Sequence, residues 1–136
     1  MQINPKEIIK RKIITNLFSE KEQVQQCGID LSLKEPLTIQ PGKFKNIELN
    51  EKFDMQDTLG IIKIRSSLSR KGINISSGYF DPFFEGVGGI SLYNHSDEVL
   101  ELPMGFRVCQ MVCFKADYAK KYDGFYNKNK TIKSQY

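Results

Sequence analysis

Histidine occurs once, at His95, tryptophan not at all, and the three cysteines, Cys27, Cys109 and Cys113, form no Cys-x-x-Cys pair. Structural zinc generally needs four Cys or His ligands at close spacing, so the pattern argues against a zinc site and, with an odd thiol count, against a disulfide framework. The thiols read instead as small buried hydrophobes. No apolar run approaches the roughly 18 residues needed to cross a bilayer, and Met1-Gln2-Ile3-Asn4 begins nothing like a signal peptide. A soluble, intracellular (cytoplasmic) protein with no membrane partner is expected. Internal repeats and low-complexity tracts are missing too.

What is present fits one domain. A chain of 136 residues lies within the usual single-domain size, and we expect a β domain over residues 1–118 with a basic tail over 119–136. The tail carries Lys120, Lys121, Lys128, Lys130 and Lys133 against Asp123, so it holds the whole net charge of +4 while the body is neutral. Such a tail suits a nucleic acid, or an anion bound at a neighbouring site; a solvated terminus is the plainer alternative.

Asn4-Pro5-Lys6-Glu7 reads as an N-cap, a Pro at the first helical position and an acid three residues after the cap, which predicts a short helix from about Pro5 to Lys12. Ile29, Leu31 and Leu33 alternate as in a strand and send Asp30 to the opposite face. Lys43 to Leu49 alternates imperfectly through Phe44, Ile47 and Leu49, and Thr58 to Ile64 is an apolar strand. Glu98 to Leu102 is a short strand, Pro103-Met104-Gly105 a turn, and Phe106 to Phe114 a strand with Val108, Gln110, Val112 and Phe114 on one face. Many short strands punctuated by Gly and Pro predict a mainly β, antiparallel sandwich or barrel with one or two short helices.

The segment from Arg65 to Asn94 concentrates the chemistry. An Arg-Ser-Ser turn follows the apolar strand, and a Gly-bounded loop with the acid Asp81 precedes the next one. Basic and hydroxyl donors can hold phosphate oxygens, and a carboxylate fixed by a tight loop can activate water. That pairing suggests phosphate-ester chemistry.

These residues resemble the superfamily of trimeric dUTP pyrophosphatases (dUTPases) and dCTP deaminases, from the N-terminal helix to about Tyr122. Gln25 through Leu31 is similar to the family's first motif, with Asp30 as its acid. Arg65-Ser66-Ser67-Leu68-Ser69-Arg70 resembles the phosphate-binding Arg-Ser-Ser-Leu-Ala-Arg turn, Gly78 through Gly86 the Gly-Val-Ile-Asp-x-x-Tyr-x-Gly loop, and Gly105 through Gln110 the Gly-x-Arg-Ile-x-Gln strand. The resemblance implies a jelly-roll-like homotrimer with sites between subunits and Mg²⁺ held through the triphosphate, with no metal ligands from the protein.

Two positions separate the activities. Ser91 falls where the deaminases carry a proton-shuttling Glu, while Gly86 to Asn94 is more similar to the dUTPase strand. A hydroxyl cannot replace a carboxylate that both accepts and donates protons. The resemblance therefore implies hydrolysis of dUTP to dUMP and pyrophosphate, with Asp81 activating water. Arg65, Ser66, Ser67 and Arg70 would hold phosphate, Gly78 and the backbone of the loop from about Ile73 to Tyr79 would read uracil, Phe84 would stack on the deoxyribose, and Gln110 would contact phosphate or support the site. Nucleic acid is not expected as partner. The Gly-rich C-terminal motif of dUTPases is replaced by Lys121-Tyr122-Asp123-Gly124-Phe125, which resembles the deaminase tail, and Lys121 and Tyr122 would reach phosphate. A deaminase and a non-catalytic nucleotide-binding protein are the alternatives.

Each residue also has a plainer role. Asp30 could satisfy buried amides and Arg107 a salt bridge, as structural or supporting groups; Asp81-Pro82 could be a turn; Phe83 and Phe84 could be core; Ser66 and Ser67 could cap a helix.

Overall fold

The computed structural model describes residues 1–117 and Lys128. Lys121 and Tyr122, with nearly all of the expected tail, lie outside the described residues. Helix α1 (Pro5–Lys10) starts as the sequence predicts, with the Asn4 side chain accepting from the Lys6 amide at 2.9 Å. It stops short of Lys12, whose φ of +58° lies outside helical space. Arg11 then ties it to the body through Asp57 at 2.6 Å, and the Gln56 amide donates back to the Arg11 carbonyl at 2.7 Å. The Arg11 guanidinium holds the Asp57 carboxyl below the usual carboxylate range.

Strand β1 (Ile14–Thr15) and helix α2 (Glu20–Gln23) are not among the expected elements, nor are the strands Leu37–Ile39 and Ile73–Ser76, the second of which occupies the start of the segment expected as a loop over Ile73 to Tyr79. The signal for α2 was present: Ser19 caps it by accepting from the Glu22 amide at 3.3 Å, in a Ser-x-x-Glu pattern that marks a helix start. The chain continues through β2 (Ile29–Ser32), β3 (Leu37–Ile39), β4 (Phe44–Asp54) and β5 (Thr58–Ile64). Helix α3 (Ser66–Ser69), β6 (Ile73–Ser76), β7 (Glu85–Asn94), β8 (Leu100–Leu102) and β9 (Arg107–Lys115) complete it. There are thus three short helices among the described residues, one more than expected, and none is long and apolar enough to cross a membrane.

Every named strand pair is antiparallel. The strands form a four-stranded sheet in the order β1-β4-β7-β6, a three-stranded sheet β2-β9-β5 and the pair β3-β8. Their inward residues meet in one apolar cluster that includes Leu31, Leu49, Leu92 and Met111. In β9 the four residues expected on one face lead with Val108 buried, but the core face is Cys109, Met111 and Cys113. Burial pushes the Cys113 thiol up to about 12 and that of Cys109 up as well, so both stay protonated. Cys27 differs from the expectation: it is exposed, because it lies in the loop before β2. Phe44 also departs, standing 61% exposed at the edge of β4 before its alternation begins.

In β4 the ladder to β7 slips between Glu48 and Lys52, where Leu49, Asn50 and Glu51 face the single Gly88. An even insertion keeps the parity, so Ile47, Leu49, Glu51 and Phe53 all point inward. Gly88 of β7 lies above this row. A Cβ there would stand 2.6 Å from the Phe53 ring and 2.9 Å from that of Phe80. The Gly88→Ala variant is therefore expected to unfold more easily by about 1–3 kcal/mol, the usual cost of overpacking; chemical denaturation would measure it, and an unchanged midpoint would show that the two rings yield freely.

Candidate active site

Four of the residues singled out from the sequence converge. Asp30 on β2 stands opposite Gln110 on β9, which in turn faces Lys63 on β5. The β2–β9 ladder shifts at Leu31/Ser32, the kind of irregularity that re-aims side chains. Arg107 reaches the Asp30 carboxylate at 3.1 Å and also donates to the Glu22 carbonyl at 2.6 Å. Gln110 donates to the other carboxylate oxygen at 3.2 Å, and the Arg65 guanidinium approaches to 3.7 Å while donating to the Arg107 carbonyl at 3.0 Å. Asp30 is 3% exposed. The expectation that it might satisfy buried amides is thus replaced by side-chain partners: two guanidiniums and an amide. The exposed Cys27 thiol donates to the Gln110 carbonyl oxygen at 3.3 Å, which turns the Gln110 NH₂ towards Asp30.

Arg65 follows β5 directly and forms the N-cap of α3 without a side-chain cap bond. The expected serine cap is not made, and Ser66, Ser67 and Arg70 are exposed. The turn is oriented instead by Asp30 through Arg65 and by the Arg65 amide, which donates to the Val108 carbonyl at 3.1 Å.

Asp81 is exposed on a braced loop. Phe80 pairs with Gly60 through two backbone hydrogen bonds of 2.9 and 3.0 Å, and the Phe84 amide donates to the Asp81 carbonyl at 3.1 Å. Pro82 and Phe83 occupy the two central places of that turn. Phe83 sits at φ +65°, a strained conformation for a bulky residue, and its amide is held by the Gln56 carbonyl at 2.7 Å. Phe84, expected to offer an open face, is buried with its ring T-shaped to Phe80 at 5.8 Å, and Phe83 is the exposed ring at 40%. The reason is local: the Phe84 carbonyl accepts from the Met55 amide at 2.9 Å and draws its side chain into the core. Gly78 is exposed with open space where a Cβ would project.

Within one chain Asp81 and the Arg-Ser-Ser turn are not brought together. Asp81 adjoins the residue paired with Gly60, and Ser66 lies six residues further along, about 20 Å away at ~3.3 Å per residue of strand.

A second polar group had no counterpart in the sequence reading. Glu51 is fully buried; it accepts from the Ser32 amide at 2.9 Å, the Gln23 amide at 2.8 Å and the Ser32 hydroxyl. Gln23 also accepts from the Ser19 amide at 3.0 Å and donates to the Asp30 carbonyl at 2.8 Å. The legible signal was parity, since Glu51 continues the inward register of Ile47 and Leu49. A cavity of ≈ 340 Å³ lies elsewhere, lined by Lys34, Lys45, Asn46 and Glu48 among others. None of the candidate site residues read from the sequence lines it, although Leu33 and Ile47 of the predicted strands do.

Removing one member of a buried, paired charge cluster costs about 3–5 kcal/mol, because the partners are stranded. Asp30→Ala is expected to fall in that range by denaturation, and to loosen the turn that starts at Arg65; a loss below about 1 kcal/mol, the value of a surface pair, would contradict it. Glu51 behaves oppositely with pH. Burial raises its carboxyl above the ordinary glutamate value despite its donors. A raised folded-state pKa gives stability that is whole below the unfolded value and lost as pH rises through the folded one. The stability of the native chain relative to Glu51→Gln should therefore decline above about pH 4.5 and level off once Glu51 is ionised. Thermal midpoints of both proteins across pH measure this, and a gap that widens with pH would reverse the assignment.

The dUTPase family model matches residues 17–134. The chain is 33% identical to a dCTP deaminase of Pyrococcus horikoshii, over 85% of this chain and 88% of that protein. It is 32% identical to the dCTP deaminase of Pyrococcus furiosus, over 80% of each. Among solved structures it resembles the dUTPase of EIAV (TM-score 0.63, 19% identity, 87% of this chain and 95% of that one). It also resembles the dCTP deaminase of Agrobacterium tumefaciens (TM-score 0.68, 13% identity, 79% and 45%). The architecture of β sheets, the four ordered motifs and these matches agree: the chain belongs to the dUTPase family, within the superfamily of dUTPases and dCTP deaminases.

Proposed function

We propose that the chain is a dUTP diphosphatase, cleaving dUTP to dUMP and pyrophosphate. The observation that carries this reading is Ser91. It stands in register with Ser76 on β6 and Asn46 on β4, so the row beside the Asp81 loop holds two hydroxyls and an amide. No group in that row can shuttle a proton at neutral pH, as deamination requires, whereas Asp81 is an exposed carboxylate on a fixed turn.

Asp81 orients a water and takes its proton as the water oxygen bonds to the α-phosphorus; the bond from that phosphorus to the bridging oxygen breaks, and pyrophosphate leaves. Arg65, Ser66, Ser67 and Arg70 hold the phosphate oxygens, with Gln110 beside them. Because these groups lie far from Asp81 along the same strand, a neighbouring copy supplies them, and a homotrimer is the assembly proposed. The half-buried pairs Leu59–Phe114 and Ile61–Val112, on the face shared by Gln110 and Lys63, give such copies an apolar contact. Mg²⁺ would ride on the triphosphate with most of its water. When bound there, Mg²⁺ neutralises phosphate charge. Gly78 and the loop backbone face the base, and Lys121 and Tyr122 are proposed to close over phosphate.

Deamination of dCTP is the second reading, favoured by the names of the relatives that are 32–33% identical over 80–85% of the chain. Incubation with dUTP and with dCTP in Mg²⁺, assaying pyrophosphate and ammonia, separates the two. Pyrophosphate from dUTP alone is expected, and Asp81→Asn should slow it by roughly 10²–10⁴ without altering the assembly size. Ammonia from dCTP would overturn the proposal, as would binding of dUTP with no turnover.

A further inference from the structure

We propose that Asn46 reads the edge of the pyrimidine and that Ser91 is the positioning residue that sets its preference for uracil over cytosine; the substrate class rests on the hydrolase reading above. Ser76, Ser91 and Asn46 lie side by side across β6, β7 and β4 on the outward face of that sheet. Ser76 and Asn46 are exposed and Ser91 is half-buried. Ser76 ends the strand that runs into the loop of Gly78 and Asp81, so the row borders the place where the base is expected. Next to Ser91 on that face comes Gly89, which carries no side chain.

The chemistry of the row is directional. An asparagine amide offers one acceptor and one donor on the same edge. Uracil presents an N3–H donor and a 4-oxo acceptor, and cytosine presents the reverse pair. The Ser91 hydroxyl donates to Asn46 Oδ1, and among the described residues no acceptor takes the Asn46 NH₂. In this orientation Oδ1 keeps a lone pair for N3–H and Nδ2 is available to the 4-oxo group. To serve cytosine the amide has to flip, and the hydroxyl then meets a donor and loses the partner of its own proton. A hydrogen bond forfeited in this way discriminates by about tenfold. The selectivity on this view comes from β4, a strand outside the recognised motifs.

Calorimetry with the α,β-imido analogues of dUTP and dCTP, in Mg²⁺, tests this without turnover. The native chain should prefer the uracil analogue. Asn46→Ala should weaken uracil binding about tenfold with little change for cytosine. Ser91→Ala, which frees the amide to flip, should narrow the ratio by gaining on cytosine. Asn46→Asp, an acceptor only, meets one donor on either base and loses the bond to the 4-oxo group, so it should narrow the ratio by losing on uracil. Ratios unchanged in all three variants would overturn the proposal, and so would a native chain that binds neither analogue. If the ratios shift while dUTP yields no pyrophosphate, the hydrolase reading falls and the base-reading pair stands.

Discussion

The Asp30 carboxylate is almost wholly removed from water, and two guanidiniums and an amide converge on it. A buried charge of this kind is tolerated only where partners compensate its desolvation. Each partner therefore has little freedom, and the freedom lost is informative. Arg65 stands 3.7 Å from the acid and donates to the Arg107 carbonyl, so the first residue of the Arg-Ser-Ser turn is oriented before any ligand arrives. Arg107 is held on its other side by the Glu22 carbonyl, which makes the short helix α2 part of the same assembly. Gln23 and Glu51 extend the chain of constraint into the core, and they do so without a cation.

The chemistry-bearing loop follows a different logic. Asp81 remains in solvent, and the surrounding backbone is held by aromatic burial and hydrogen bonds to Met55, Gln56 and Gly60. Phe80 and Phe84 act as two plugs on either side of the turn, and the left-handed Phe83 between them is the strained element they retain. One charged group is thus buried and immobilised by charge, the other exposed and immobilised by packing. The carboxylate proposed to take a proton from water is the exposed one, and the carboxylate that organises the guanidiniums is the buried one.

Much of this was legible in the sequence. The strand from Thr58 to Ile64 matches β5 at both ends because its apolar run is bounded by polar turns, and the N-cap and Pro of α1 set that helix locally. The convergence of Asp30, Arg107 and Gln110 was hidden, since it depends on register between β2 and β9 and on a shift within that ladder. Periodicity also misled at β9, where sulfur-bearing side chains take the core and Val112 and Phe114 remain half-buried. Phe84 takes the core place that was its plainer reading while Phe83 stays exposed, a choice no pattern encodes, since it goes with backbone bonds of Phe84 to Met55 and of Phe83 to Gln56. Glu51 was passed over because a carboxylate at an inward position contradicts hydropathy, and only its three donors make it tolerable.

The two halves of the proposed site stand at opposite ends of a single strand, and that geometry has a kinetic meaning. Under the hydrolase reading no isolated chain owns a complete centre, so dilution would switch activity off by dissociation, with every polypeptide still correctly folded. The rate would then follow a power of protein concentration until assembly saturates.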